Sequence, residues 1–334
     1  MLRMRSIGLM KGHFWIAISV ALVCMGCHPD SHTLNPQIYY SAPPRQMEKL
    51  YDPTNECGLF PPLSAEENSQ EWARELYLGR KFGQEMDFYR ALTCFKRALF
   101  LHNECHPTPD RSFEIEYEIF FTYYLAGKYK EAVEVFETGN LSNVPTDFPV
   151  VNNLTIALYD SYVHIDQVER ANQILNFINT RDPEVANKLV IERAIFEADF
   201  TTMEAIAAGD NVYSDVVCEF LTNYTTQSKS VSKAQFLNAV LPGAGYSYVG
   251  QQRAALTSFF LNALFIAASY QLFDRGYVPA GIILTSLELG WYFGGINGAG
   301  LAAKEYNERL YEGIGRETLI ENKLFPLLTM QMCF

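Results

Sequence analysis

The stretch that most constrains the fold lies in the C-terminal third of the chain, where the twenty residues 254–273 carry no formal charge. A helix rises about 1.5 Å per residue, so a helix of this length reaches about 30 Å, the thickness of the hydrocarbon layer of a membrane. A short Asp-Arg-Gly turn follows, and Glu288 is then the only charge within residues 277–303. The sequence therefore predicts two membrane spans joined by a tight turn, which form a helical hairpin.

Small residues recur every four positions along the second predicted span, at Ser286, Gly290, Gly294, Gly298 and Ala302. The first span has its own strip of small or polar residues at Ala254, Ser258 and Asn262. Positions four apart share a helix face, and small side chains let a second backbone approach closely. We predict helix packing through these faces, either within the hairpin or between two chains, which would make a homo-oligomer. The alternative is that glycines simply accumulate in membrane helices.

The segment before the first span, residues 241–250, contains a Pro-Gly-Ala-Gly turn and two tyrosines, which favour a bent segment at a membrane interface. Together with the hairpin and the Glu-Leu-Gly-Trp-Tyr block at 288–292, it resembles the C-terminal membrane modules of many bacterial envelope proteins. The resemblance covers residues 236–310 and implies a membrane location without implying an activity. A phosphate-binding loop is excluded here because no Gly-Lys-Ser/Thr follows the glycines.

The N-terminus has the pattern of a secretory signal peptide, predicted to cover residues 1–27. A basic head with Arg3, Arg5 and Lys11 precedes the apolar core of residues 14–23. The Cys-Met-Gly-Cys sequence that ends at Cys27 resembles a bacterial lipobox, and this resemblance implies lipidation of Cys27. An uncleaved anchor helix is the alternative. Residues 28–63, rich in Pro, Ser, Asn and Tyr, are predicted to be a tether without a core of its own.

Residues 64–225 show a repeated two-helix pattern. The first repeat is predicted to interlock its helices through Gly79, Phe82, Ala91, Phe95 and Ala98. A second repeat has Tyr123, Ala132 and Phe136 in matching places, and a third has Tyr162 and Ala171. This pattern resembles the tetratricopeptide repeat (TPR), in which a small Ala lets two helices approach and an aromatic ring fills the gap between them. A weak fourth repeat is expected around Phe196 and Ala205.

The predicted fold is therefore all-α: a TPR-like helical-hairpin solenoid over residues 64–225, followed by a transmembrane hairpin over residues 231–303. An amphipathic tail, broken at Gly313 and Gly315, is expected over residues 304–334. A solenoid of this kind forms a concave groove, which the resemblance implies would bind partner proteins. The net charge of −12 and the lack of a basic run argue against nucleic acid.

These features predict a bacterial cell-envelope scaffold, not an enzyme, that contacts protein partners and membrane lipid and needs no cofactor or metal. The TPR-like domain is expected outside the cytoplasm, at the inner membrane rather than the outer one. Lys and Arg flanking the hairpin favour the opposite orientation, and we give the signal peptide more weight. One alternative is an outer-membrane biogenesis lipoprotein of the barrel-assembly type. The other is an intramembrane transporter or enzyme that uses Glu288, since a carboxylate at that depth is costly to keep.

Overall fold

The computed structural model of the protein describes residues 34, 36–38, 59–104, 108–210, 212–325 and 330. The predicted signal peptide, Cys27 and most of the predicted tether lie outside these residues. Within them, all regular secondary structure is helical, which confirms the all-α class. The chain divides into two compact units. The helix-pair unit comprises Tyr39–Ile195 and Arg316–Phe334, and the glycine-rich unit comprises Met1–Ile38 and Phe196–Gly315.

The helix-pair unit is built from consecutive helices, which contact each other in pairs and are joined within each pair by short turns. Its helices are α1 (Ala65–Asn68), α2 (Glu71–Gln84), α3 (Phe88–Glu104), α4 (Pro109–Leu125), α5 (Tyr129–Thr138), α6 (Val151–His164), α7 (Val168–Arg181) and α8 (Pro183–Phe196). Each helix from α2 to α6 contacts the next one along the chain, and α4 also contacts α6. The pairs are therefore α2 with α3, α4 with α5, and α6 with α7.

The same turn joins the two helices of each pair. Its central residue adopts a left-handed conformation at Met86, Gly127 and Asp166. The N–H of the next residue donates across the turn to a carbonyl five positions back, at 2.9 Å in all three cases. This bond is the mark of a Schellman helix end. Five residues after each left-handed position comes a fully buried alanine, at Ala91, Ala132 and Ala171.

A related position follows α8, where Ala198 is left-handed and Met203 lies five residues later. Met203 is fully buried, whereas Ala205 is exposed. The expectation that Ala205 takes the small-residue place was therefore wrong by two positions, because the Ala198 turn sets the register and the sequence pattern did not reveal it.

Close helix contact in the first pair depends on Gly79. A Cβ atom at Gly79 would lie 2.5 Å from Cε1 of Phe95, closer than real Cβ contacts allow. Phe95 and Ala98 are completely buried, together with Leu76 of α2. The missing side chain of Gly79 makes room for the Phe95 ring, so the two helices fit as dense interiors require.

The glycine-rich unit contains α9 (Phe200–Ala207), α10 (Ser214–Gln227), α11 (Val231–Val240), α12 (Ala244–Tyr248), α13 (Gln252–Asp274) and α14 (Val278–Glu321), the last of which continues past the unit boundary. The predicted break at Gly313 and Gly315 is not found, because α14 is continuous to Glu321. Glycine lowers helix stability by only about 1 kcal/mol, which a long packed helix tolerates. The ring of Tyr311 makes edge contacts with Phe200, Phe220 and Tyr224 at centroid distances of 5.9, 5.2 and 5.3 Å.

The Pro-Gly-Ala-Gly turn has a packing reason for both glycines. Gly243 is left-handed, with φ +91°, and a Cβ there would collide with the carbonyl oxygen of Ala255 on α13. A Cβ at Gly245 would collide with the carbonyl oxygen of Ala234 on α11, and would lie 2.8 Å from Cβ of Ala299 on α14. The turn is therefore a point where three helices meet at backbone distance, which only glycine permits.

Candidate functional site

One face of α4 is lined by aromatic rings that belong to the hydrophobic core of the helix-pair unit and lie beneath the candidate binding site. Tyr117, Phe121 and Tyr124 are spaced by four and three residues, so they lie in one row along the helix. Tyr117 stacks on Phe121 with centroids 5.5 Å apart, and Phe121 stacks on Tyr124 at 6.2 Å. We call these three residues the aromatic ladder. All three are buried.

A network of arginines and carboxylates borders the ladder on the side of α2. Arg80 donates to Glu114 at 2.7 Å and to Glu118 at 2.8 Å. Arg111 donates to the second oxygen of Glu114 at 2.6 Å and to Glu67 at 2.9 Å. The two α4 carboxylates are almost completely buried, so each depends on these arginines for compensation.

The two ends of this network have opposite electrostatic environments. Burial raises the pKa of the Glu118 carboxyl, although the charge of Arg80 opposes the rise. Its second oxygen has no hydrogen-bond partner among the described residues. The hydrogen bond from Arg111, with a further one from the Ser64 N–H, lowers the pKa of Glu67 to about 2. The lowered pKa favours the ionised form of Glu67, which holds Arg111 in place, whereas the raised pKa disfavours the ionised form of Glu118.

The end of the predicted tether lies on Tyr117, the first ring of the aromatic ladder. The Phe60 ring meets Tyr117 edge-on at 5.8 Å and Phe148 at 5.7 Å, and the guanidinium of Arg80 lies 5.8 Å from its centroid. Arg111 donates to the carbonyl oxygens of two successive prolines, Pro61 at 2.8 Å and Pro62 at 3.0 Å. The chain thus contributes its own short segment, residues 59–62, to this face.

The other end of the ladder reaches α6 through hydrogen bonds. The Tyr124 hydroxyl donates to Asp160 at 2.7 Å, and burial followed by the Asp160 charge raises the pKa of Tyr124. Asp160 also lies 3.2 Å from Nδ1 of His164, whose ring stacks on Tyr129 at 4.1 Å. Burial alone would lower the pKa of His164, but the hydrogen bond and charge of Asp160 outweigh it and raise that pKa.

A cleft of about 310 Å³ lies beyond α6, lined by Asn152, Asn153, Ile156, Arg181, Asp182 and neighbouring residues. Its volume is at the lower end of the range for ligand pockets, and Arg181 and Asp182 are the titratable residues that line it. Among the described residues, no group of His, Cys, Asp and Glu could hold a metal ion.

The predicted repeat-core residues lie in the packing core, and those of the second and third pairs share one hydrophobic cluster with the ladder. Fully or almost fully buried are Gly79, Ala91, Phe95, Ala98, Ala132, Tyr162 and Ala171. Phe82, Tyr123 and Phe136 are partly buried against the same clusters. Tyr123 accepts a hydrogen bond from Lys96 at 2.7 Å, and its neighbour Tyr124 is the deeper ring. Sequence reasoning missed the ladder, whose signal was the run of aromatic residues within α4.

The second candidate surface is α13, whose polarity is the reverse of a soluble helix. Its buried face carries Ser258, Asn262 and Ser269, while large apolar side chains point outward. These outward residues are Leu256, Phe259, Phe260, Leu264, Ile266, Tyr270 and Phe273. Asn262 donates back to the Ser258 carbonyl at 2.6 Å. Within the described residues, α13 is the one helix long and apolar enough to cross a membrane; the segment predicted as the second span does not meet that measure.

The predicted glycine ridge on α14 is in contact at one end only. A Cβ at Gly290 or Gly294 would meet nothing within 4 Å, whereas one at Gly298 would collide with the Tyr246 hydroxyl. Packing instead uses the neighbouring strip, where a Cβ at Gly295 would lie 3.3 Å from Asn238 and 3.9 Å from Ser258. The ridge at Gly290 and Gly294 is therefore an open surface of this chain. Packing between chains, the second possibility that the sequence offered, stays a prediction.

Glu288 is buried on α14. Neither of its carboxylate oxygens has a hydrogen-bond partner among the described residues, and the same holds for Oδ1 of Asn262.

Comparisons with protein-family models, with curated proteins and with solved structures gave no match. The function is accordingly inferred from the chain's own geometry.

Proposed function

We propose that the protein is a bacterial cell-envelope scaffold that is held at a membrane by a hairpin of α13 and the first half of α14. Partner proteins bind to a TPR-like array through the face that carries the aromatic ladder. The observation that carries the membrane part is the reversed polarity of α13, with apolar side chains outside and polar ones inside.

The reversed polarity has a simple energetic reading. Moving a large apolar side chain out of water is favourable by about 1.5–3 kcal/mol, so a row of exposed leucines and phenylalanines is unfavourable in water and favourable in lipid. Polar side chains such as Asn262 gain from facing a neighbouring helix, because lipid offers them no hydrogen bonds. At about 1.5 Å per residue, α13 is also long enough for one hydrocarbon layer.

The TPR-like part of the proposal is supported by the repetition of one turn. In three helix pairs, a residue in the left-handed conformation is followed five positions later by a buried alanine. Repeats of this kind bury their faces only against neighbours and form a solenoid with a concave binding surface. The ladder lies on α4, the first helix of its pair. Arg80 links this face to α2 and Asp160 links it to α6, as expected for a groove that several helix pairs share.

The proposed location rests on the sequence alone. A signal peptide over residues 1–27 with lipidation at Cys27 would put the helix-pair unit outside the cytoplasm, and the hairpin is better suited to the inner membrane than to the outer one. Mass spectrometry of the mature N-terminus tests this part. An unmodified Cys27 within an intact N-terminal peptide would contradict it.

The scaffold function is tested by photocrosslinking in bacterial cells. A photoreactive amino acid at His164, which is half-exposed at the end of the ladder, should give discrete protein adducts of defined mass. The matched control is the same amino acid at Tyr89, which is 84% exposed and belongs to α3. Equal adducts at both positions would contradict a binding face at the ladder. Retention of the chain in the membrane pellet after alkaline carbonate tests the anchor separately.

A second candidate function is that of an intramembrane transporter or enzyme that uses Glu288. It is favoured by the buried carboxylate, whose two oxygens have no partner among the described residues. An intramembrane carboxylate of this kind frequently has a task in proton or ion movement. Glu288→Gln separates the two candidates: a scaffold keeps its adducts and its cellular role, and a transporter loses its role while keeping the adducts.

A further inference from the structure

The contact between Arg111 and the segment of residues 59–62 has the features of a peptide-binding site. Arg111 is 9% exposed and is fixed by Glu67 and Glu114, with N–O distances of 2.9 and 2.6 Å. Its guanidinium is thereby oriented so that two of its nitrogens reach two consecutive backbone carbonyls, those of Pro61 and Pro62. A planar guanidinium held in this way selects a particular spacing of backbone carbonyls, because its N–H donors cannot move independently of one another.

The bound segment has the chemistry that such a guanidinium selects. Proline fixes φ near −65° and lacks an N–H, so a Pro-Pro step presents its carbonyls from a preformed extended backbone at little cost in conformational entropy. The preceding Phe60 inserts its ring beside Tyr117 and Phe148. Proline-rich segments are generally recognised by aromatic-lined grooves. Here Arg111 adds N–H groups that donate to the proline carbonyls.

The segment lies on the surface rather than inside the core. Leu59 and Phe60 are half-buried, and Pro61 and Pro62 are exposed. By contrast, the residues beneath them, Glu114 and Tyr117, are almost fully buried. Removing the segment would therefore uncover Tyr117 and the guanidinium of Arg111.

We propose that this face is a binding site for a partner segment of the type Leu-Phe-Pro-Pro, and that the chain's own residues 59–62 occupy it in the resting state. The inference rests on the proposed scaffold function and names the chemistry of the partner. Because residues 59–62 join α1 directly through residues 63 and 64, they compete at a very high effective concentration. A partner therefore binds by displacing them, and the resting site is closed to weak ligands.

The test uses the full chain in detergent and a fluorescent peptide with the sequence Gly-Leu-Phe-Pro-Pro-Leu-Ser. Phe60→Ser in the chain removes the competing ring, so this variant should bind the peptide at least tenfold more tightly than the wild-type chain, measured by fluorescence anisotropy. Adding Arg111→Gln to Phe60→Ser should weaken that binding at least tenfold. Arg97→Gln is the matched control, since Arg97 is an exposed arginine that also pairs with glutamates and should leave binding unchanged.

Three further measurements keep the result decisive. Circular dichroism melts check that each variant is folded. If Phe60→Ser does not fold, the pair Pro61→Ala with Pro62→Ala weakens the segment while leaving the ring in place, and should also raise peptide affinity. A peptide with Ser in place of Phe should not bind.

Three outcomes would overturn the proposal. The first is equal peptide affinity for the wild-type chain and for the variants in which the segment is weakened, Phe60→Ser or Pro61→Ala with Pro62→Ala, which we call the released variants. The second is no binding by a folded released variant at about millimolar peptide. The third is dimerisation of the released variant by light scattering, which would make a second copy of this chain the occupant. If peptide binding fails while the His164 adducts persist, the partner class is wrong and the scaffold function stands.

Discussion

The helices α4 and α13 are both rich in apolar side chains, but they bury opposite kinds of residue. In α4, the aromatic rings are inside, and the buried carboxylates Glu114 and Glu118 are each bonded to arginine. In α13, Asn262 and Ser269 are inside and the leucines and phenylalanines are outside. A charge removed from water needs a partner, whereas an apolar side chain needs any apolar surroundings, protein or lipid. The direction of polarity across α13 is therefore the observation on which its proposed lipid environment rests.

The largest effect is expected in the core of the helix-pair unit. Phe95→Ala should destabilise the unit by about 3–5 kcal/mol, because the ring is completely buried against Gly79 and its removal leaves a cavity. Phe100→Ala on the same helix is the control, since Phe100 is 65% exposed and should change stability by less than about 0.5 kcal/mol. Thermal unfolding of the full chain in detergent, followed by circular dichroism, measures both. Equal losses would show that α3 does not pack as described.

A second prediction places the same change on an exposed apolar position of each unit. Leu264→Lys on α13 should disfavour membrane insertion by about 2.5–3.5 kcal/mol, because its 63% exposed side chain would face hydrocarbon. Tyr89→Lys on α3 should have almost no effect, because that side chain faces water. Alkaline carbonate extraction compares the fraction of each variant left in the membrane. Full retention of Leu264→Lys would mean that the outer face of α13 does not contact lipid.

The parts of this fold that could be predicted from sequence are those set by local spacing. The alanines at 91, 132 and 171 and the small Gly79 recur in a pattern that specifies two helices and a tight turn, and the turn is local. The long uncharged stretch of α13 likewise needs no tertiary information. The two-span hairpin, the TPR-like array and the lipid anchor stay predictions.

The candidate binding face could not be predicted because its contacts join distant positions. Arg80 meets Glu114 and Glu118 across 34 and 38 residues, and Arg111 meets Pro61 across 50. Nothing in the spacing of these residues indicates which arginine pairs with which carboxylate. The residues predicted as tether, moreover, had no local pattern that would attach Phe60 to a helix.

The glycine ridge shows a different limit. Gly290, Gly294 and Gly298 form one row of small residues, but Gly295, Ala299 and Ala303 form an adjacent row with the same spacing. The two rows differ by one residue, or about 100° around the helix. The chain packs against the second row, where Ala299 and Ala303 are fully buried. A four-residue period alone cannot distinguish them.

A third prediction uses the two rows to sharpen this point. Gly298→Leu should destabilise the glycine-rich unit by about 1–3 kcal/mol, because its side chain would be forced into Tyr246. Gly294→Leu should leave the folded monomer intact, because its Cβ meets open space. If Gly294 is a contact between chains, Gly294→Leu will instead lower the crosslinked dimer fraction in native membranes. Protein level and detergent-resistant association distinguish the two variants, and equal damage from both would contradict the open ridge.

The smallest effect is expected from the pH dependence of His164 in the helix-pair unit. Its pKa in the folded chain lies above the ordinary value of 6.5, because Asp160 outweighs the effect of burial. A raised histidine pKa means that the folded state binds the proton more tightly than the unfolded state. The stabilisation is then complete below pH 6.5 and is lost as the pH rises through the folded pKa. Since the side chain is 46% exposed, this stabilisation should stay within the range of about 0.2–1 kcal/mol that a solvent-screened ion pair contributes. In His164→Asn, the melting temperature should no longer show this dependence on pH when acidic and alkaline conditions are compared. The variant also loses the ring contact with Tyr129, but that loss is the same at all pH values. An unchanged slope in His164→Asn would assign the pH dependence to another group and leave the polar end of the ladder without an electrostatic role.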